Sequence, residues 1–167
     1  ENIMAAKIIA ENFQASMIEL NKIQIQKLIN IFNQYDFDIN ENNIRRSLRK
    51  EGDGVFIPLK AFNLQEGDFE LGINIELLKN HFFFCVAKKN EIRTDTENNN
   101  VKFIDIKKYL HDKIPNLSQI HGWTIGMSND FIIGIDKTSF FYPDTDNTNS
   151  YLELVERIRK IKDLLNN

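Results

Sequence analysis

The sequence predicts an α+β domain. Three observations carry this: an N-terminal third with helical apolar spacing, a middle with strict alternation, and a well-signalled closing helix. No regular exchange of strand and helix points to a doubly wound fold. The expected arrangement is N-terminal helices, then a mainly antiparallel sheet of about five or six strands in two hairpins with one short helix between, then a C-terminal amphipathic helix.

The first fifty residues read as helical. Ile9, Phe13, Met17 and Leu20 recur at helical spacing, and Leu28, Ile29 and Phe32 repeat it, giving an apolar stripe to each helix. NQYDFDIN (33–40) interrupts the run with Asn and Asp, which compete for backbone hydrogen bonds and favour turns. A third short helix is expected over 41–50, with Asn40 as N-cap and Gly52 just past its end.

At Gly52 the period changes. In DFELGINIELL (68–78), Phe69, Leu71, Ile73, Ile75 and Leu77 alternate with Glu70, Gly72, Asn74 and Glu76, the pattern of a strand with one wet face. VFIPLKAF (55–62) is a less regular strand that Pro58 pushes toward an edge. Residues 81–89 come next across Leu78-Lys79-Asn80, so an antiparallel hairpin is expected. TDTENNN (94–100) reads as a loop, VKFI (101–104) as a strand, and a short helix through Ile106, Tyr109 and Leu110 ends near Pro115. GWTIGMSNDFIIGID (122–136) reads as a second hairpin turning at SND. In the closing helix, 150–165, Ser150 and Glu153 have capping-box spacing and Leu154, Ile158, Ile161 and Leu165 line one stripe.

Length and composition set the function classes. At 167 residues, with 42% hydrophobic and 27% charged residues, the chain suits one folded domain: a helical part, 1–52, and a sheet with covering helices, 53–167. A net charge of −3 supplies no global basic field for nucleic acid or an anionic membrane. One cysteine builds no disulfide framework and no Cys-rich zinc site. With neither a secretory signal nor an apolar run of membrane-spanning length, a reducing, cytoplasmic location is expected. The abundance of Ile, Asn and Lys beside three prolines suggests an AT-rich, bacterial coding background.

KNHFFFCVAKK (79–89) gathers His81, three phenylalanines and Cys85. On one strand His81 and Cys85 share a face but stand ~13 Å apart, too far for His81 to serve as base, so Cys85 reads as a core thiol. Because both faces of this strand are largely apolar, it is either central in a doubly covered sheet or covered by a partner. RRSLRK (45–50) is the cationic cluster: on a helix, Arg45, Arg46, Arg49 and Lys50 would spread over one arc able to hold phosphate. In PDTDNTN (143–149), Asp144 and Asp146 have calcium-loop spacing, but Asn149 replaces the expected glycine and Val155 the expected acid. In FIDIKK (103–108), Asp105 and Lys107, with Asp68 or Glu70 as a second acid, sketch a metal-dependent nuclease site, and Asp136–Lys137 a fainter one. His81, His111 and His121 have no metal-ligand spacing, and neither a Gly-rich phosphate loop nor GxSxG occurs.

With no catalytic signature and no cofactor implied, the expected function is a small protein-binding module of the kind found among toxin-neutralising immunity and inhibitor proteins. That analogy rests on size and composition alone. Its mechanism would be steric and electrostatic occlusion. Glu66, Asp68, Glu70, Asn74 and Glu76, with Asp95 and Glu97 in the 94–100 loop, would meet a basic partner protein, such as a toxin domain, and speed its association. The alternatives are a metal-dependent nuclease through Asp68, Glu70, Asp105 and Lys107, and phosphate or nucleic-acid binding through the arginine cluster.

Overall fold

In the computed structural model the described residues are 2–45, 53–59, 69–88, 101–114, 116–118, 124–126, 128, 131–133 and 148–166. Among them the chain is α+β, with three helices and an antiparallel sheet. The helices are α1 (Asn2–Asn33), α2 (Val101–Lys113) and α3 (Thr148–Asn166). The strands β1 (Ile44–Arg45), β2 (Gly54–Pro58), β3 (Phe69–Glu76), β4 (His81–Lys88) and β5 (Thr124–Gly126) lie side by side in chain order. Among the described residues no helix is long and apolar enough to cross a membrane.

All three helices cover one face of the sheet. Alternation along the strands sends Val55 and Ile57, then Leu71, Ile73 and Ile75, then Phe82 and Phe84 to that side. There they meet Ile25, Leu28, Ile29 and Phe32 of α1, Ile106 and Leu110 of α2, and Leu154, Val155 and Ile158 of α3. Register keeps the apolar set together: Val55 pairs with Ile75, Ile57 with Ile73, Ile73 with Phe84, and Ile75 with Phe82. Phe131 stacks on Phe82 at 4.4 Å between ring centres. Tyr109 Oη donates to the Leu165 carbonyl at 2.7 Å, tying α2 to the end of α3.

The N-terminal region departs from expectation. Residues 2–33 form one continuous helix, and 33–40 closes it. Asn33 Nδ2 donates to the Ile39 carbonyl and Asn33 Oδ1 accepts from the Ile39 amide, while Asp36 adopts φ 61° and Phe37 packs edge-on against Phe32. Asn40 does act as an N-cap, but the element it caps is a single 3₁₀ turn, Glu41–Asn43. The expected 41–50 helix gives way at Ile44 because that residue is half-buried against the core as β1 pairs Ile44 with Val55 and Arg45 with Gly54. Tertiary pairing overrides a helical pattern only a few residues long.

Three further expectations are corrected. VKFI (101–104) is the start of α2 and not a strand, because position 103 continues the helical spacing of the buried Ile106 and Leu110. The 122–136 segment is not a hairpin in its described residues. Cys85 pairs with Thr124, Phe84 with Gly126 and His81 with Ile132, so both pieces lie along β4 in one descending, irregular line. The Ile133 amide, donating to the Asn80 carbonyl at 2.9 Å, fixes the far end of that line to the β3–β4 turn. Finally, α3 begins at Thr148, which places Ser150 inside the helix rather than at its cap. Leu154, Ile158 and Leu165 are buried along its inner face, and Ile161 is half-buried.

Candidate functional site

Two regions carry side chains that the main core does not absorb: the second face of the sheet and the first half of α1. On the second face, β3 places Glu70, Gly72, Asn74 and Glu76, β4 places His81, Phe83 and Cys85, β2 places Phe56, and β1 places Arg45. The wet face expected for β3 is closed at its centre, with Glu70 and Glu76 half-buried at either end. Asn74 is 3% exposed, and Phe56, Phe83 and Cys85 form a second buried apolar cluster. Phe56 pairs with Asn74 and Asn74 with Phe83, so the amide lies between two aromatic rings across the ladder.

Gly72 is the small residue that admits this packing. A Cβ there would lie 2.3 Å from Phe56 Cζ and 2.5 Å from the Ile57 carbonyl oxygen. Arg45 lies over the same ring, its guanidinium carbon 4.6 Å from the Phe56 centroid. Its Nη1 donates to the Asn42 carbonyl at 3.0 Å, and its Nη2 approaches Glu70 Oε1 at 3.5 Å. Burial lowers the guanidinium pKa from its usual value, with Glu70 acting in the opposite direction. Arg45 is thus a buried structural cation on a strand, not one member of an exposed helical arc. Arg46, Arg49 and Lys50, the rest of that cluster, lie outside the described residues.

At the β3–β4 turn Glu76 Oε2 lies 3.1 Å from Lys79 Nζ and 3.3 Å from His81 Nε2. Burial pushes the Glu76 carboxyl up, but the hydrogen bond from His81 and the charge and hydrogen bond of Lys79 outweigh it and leave it below the usual range. His81 Nδ1 lies 3.2 Å from the Lys79 carbonyl oxygen. Both ring nitrogens are therefore engaged at the turn and away from Cys85. The Cys85 thiol is fully buried, and burial drives its pKa far above that of a free thiol. KNHFFFCVAKK is accordingly a doubly covered central strand: Phe82 and Phe84 are buried on one side, Phe83 and Cys85 on the other, all within this chain.

The acidic partner-facing surface expected on β3 is not assembled by its described members. Glu70 faces Arg45, Glu76 faces Lys79 and His81, and Asn74 is buried. Glu66, Asp68, Asp95 and Glu97 lie outside the described residues, as do Asp136, Lys137, Asp144, Asp146 and His121. The nuclease element changes character as well. Asp105 and Lys107 stand on α2 rather than at a strand end. His111 is exposed on the same helix. Among the described residues no three His, Cys, Asp or Glu side chains come together.

The first half of α1 was legible as a helix but not as a surface. Residues 3–16 are exposed throughout; only Met17 and Leu20 are partly covered before the buried Asn21. Ile9, expected on a core-facing stripe, is 69% exposed, and Phe13 is 55% exposed. Ile3 (88%), Met4 (73%) and Ile8 (52%) add apolar surface on other sides of the helix. Lys7 pairs with Glu11 and Lys22 with Glu19 along the helix itself. The missed signal was Met4, Ile8 and Ile18, which lie off the Ile9–Phe13–Met17 stripe. A helix with apolar residues on several sides needs more cover than one sheet face offers. Comparison of the chain with protein-family models, with curated protein sequences and with solved structures finds no match in any of the three.

Proposed function

We propose that the protein is a protein-binding module and that the first half of α1 is its docking element. The observation that supports this reading is the row of large aliphatic side chains held at high exposure on an ordered helix. Monomeric proteins rarely leave so many large apolar side chains open along one helix without a partner for them. Rigid presentation on a helix also lowers the ordering entropy that a flexible segment would lose on docking. The immunity- or inhibitor-type occlusion expected from the sequence would then be exerted by this helix. Glu70 and Glu76 already serve Arg45, Lys79 and His81 within the fold. Contact would be apolar and only weakly dependent on salt, unlike recognition steered by acidic groups.

A photo-crosslinking residue placed at position 9, with position 160 on the exposed side of α3 as control, tests the reading in the cells that produce the protein. A discrete protein adduct from position 9 and none from position 160 is expected. Equal labelling from both positions, or none from position 9, refutes it.

A further inference from the structure

On the second face of the sheet, two buried polar atoms have no hydrogen-bond partner among the described residues. They are Arg45 Nε, a donor, and Asn74 Oδ1, an acceptor, and their residues are 7% and 3% exposed. Such atoms are uncommon in folded proteins, because each unmade bond leaves the full desolvation cost of its group. We infer that Arg45 and Asn74 hold a single buried water between them, beside Gly54. The ladder brings the two side chains to one spot. Arg45 of β1 pairs with Gly54 of β2, and the Asn74 amide of β3 lies over the same glycine. A Cβ on Gly54 would stand 3.2 Å from Asn74 Oδ1 and 3.3 Å from Nδ2. Phe56 holds both neighbours: its ring lies 4.6 Å from the Arg45 guanidinium carbon, and its backbone pairs with Asn74. A donor and an acceptor thus flank one glycine without bonding to each other, and Gly54 brings no side chain between them.

Charge and hydrogen bonding select the occupant. A cation would be repelled by the guanidinium. An anion would face Asn74 Oδ1 and the Glu70 carboxylate, whose Oε1 already lies 3.5 Å from Arg45 Nη2. A neutral molecule remains, one that accepts from Nε–H while donating to Oδ1, and water is the smallest that does both. A turned Asn74 amide would suit it too, since water accepts from Nδ2 as readily as it donates to Oδ1. The guanidinium has reason to keep such a molecule. Its Nη1 is spent on the Asn42 carbonyl at 3.0 Å, and burial lowers its pKa against the opposing pull of Glu70. A fixed water dipole returns part of the solvation that burial removes.

Nuclear magnetic resonance of the ¹⁵N-labelled full chain tests the site. The Arg45 Nε–H resonance should show a cross-peak at the water frequency, opposite in sign to the diagonal in a rotating-frame spectrum. That sign marks a water held beside the proton, whereas chemical exchange with solvent gives the same sign as the diagonal. Asn74→Leu removes the acceptor and should reduce the cross-peak at least ~5-fold, because one hydrogen bond alone holds a buried water poorly. Should Asn74→Leu fail to fold, a crystal structure of the unmodified chain decides. An ordered water within about 2.7–3.2 Å of both Arg45 Nε and Asn74 Oδ1 is expected there. A direct bond between these two atoms, or a bond from each to another residue of the chain, overturns the proposal. So does an Arg45 Nε–H that shows exchange alone, or a cross-peak that a folded Asn74→Leu variant leaves unchanged.

Discussion

Replacing Gly72 by alanine tests whether the second face of the sheet is packed as described. The added Cβ would sit 2.3 Å from Phe56 Cζ and 2.5 Å from both Phe56 Cε2 and the Ile57 carbonyl oxygen, roughly 1 Å inside ordinary contact. Neither neighbour yields easily. The Phe56 ring is fully buried with the Arg45 guanidinium over it, and Ile57 belongs to the β2–β3 ladder in which Pro58 pairs with Gly72. Overpacking a rigid site costs about 1–3 kcal/mol. The lost flexibility of the unfolded chain returns about 0.4–1 kcal/mol. With backbone as one of the clashing partners the cost falls at the upper end, so Gly72→Ala should destabilise by about 2 kcal/mol. For a chain of this size that lowers the melting temperature by roughly 4–8 °C. Urea titration followed by far-UV circular dichroism should show a lower midpoint at unchanged slope. Phe56→Leu removes the ring atoms nearest the new methyl group. The Gly72→Ala/Phe56→Leu double variant should then be more stable than the two single costs add to, by about 1 kcal/mol. Stability of Gly72→Ala equal to or above that of the parent would refute the packing argument.

The other expectations concern the same face. Arg45→Ala should cost about 2–3 kcal/mol, because it leaves Glu70 without its buried cation and uncovers Phe56, while the parent shows no salt-sensitive oligonucleotide binding that the variant loses; such binding in a gel-shift titration would restore the phosphate reading. Glu76→Gln should cost about 1.5 kcal/mol at neutral pH. Because the folded Glu76 carboxyl lies below its ordinary value of 4.5, its contribution is present above that value and is lost as pH falls through the folded one, so parent and variant melting curves should converge in acid. A gap that widens on acidification would contradict this sign. Cys85 should resist a thiol reagent at pH 8 until the chain is unfolded in urea, and Cys85→Ser should cost about 1–3 kcal/mol through its buried hydroxyl; rapid native labelling would show the strand to be open.

What the sequence determined by itself is the class of structure and the inner faces of its clearest elements. Period-two alternation along 69–77 and the stripe Leu154, Ile158, Leu165 are local patterns, and hydrophobic burial acts on them wherever they sit. The distance that separates His81 from Cys85 was equally legible, being a property of one extended chain. Only the tertiary structure decided where a pattern meets its neighbour. Ile44 and Arg45 carry helix-compatible residues, yet pairing with Val55 and Gly54 makes them a strand. Phe56 and Phe83 close over Asn74 and turn an expected wet face into a buried one. The stripe on α1 looked core-bound at both ends of the helix, but the sheet reaches only its second half. Periodicity records which side of a helix is apolar; it carries no information about how far the surface covering that side extends.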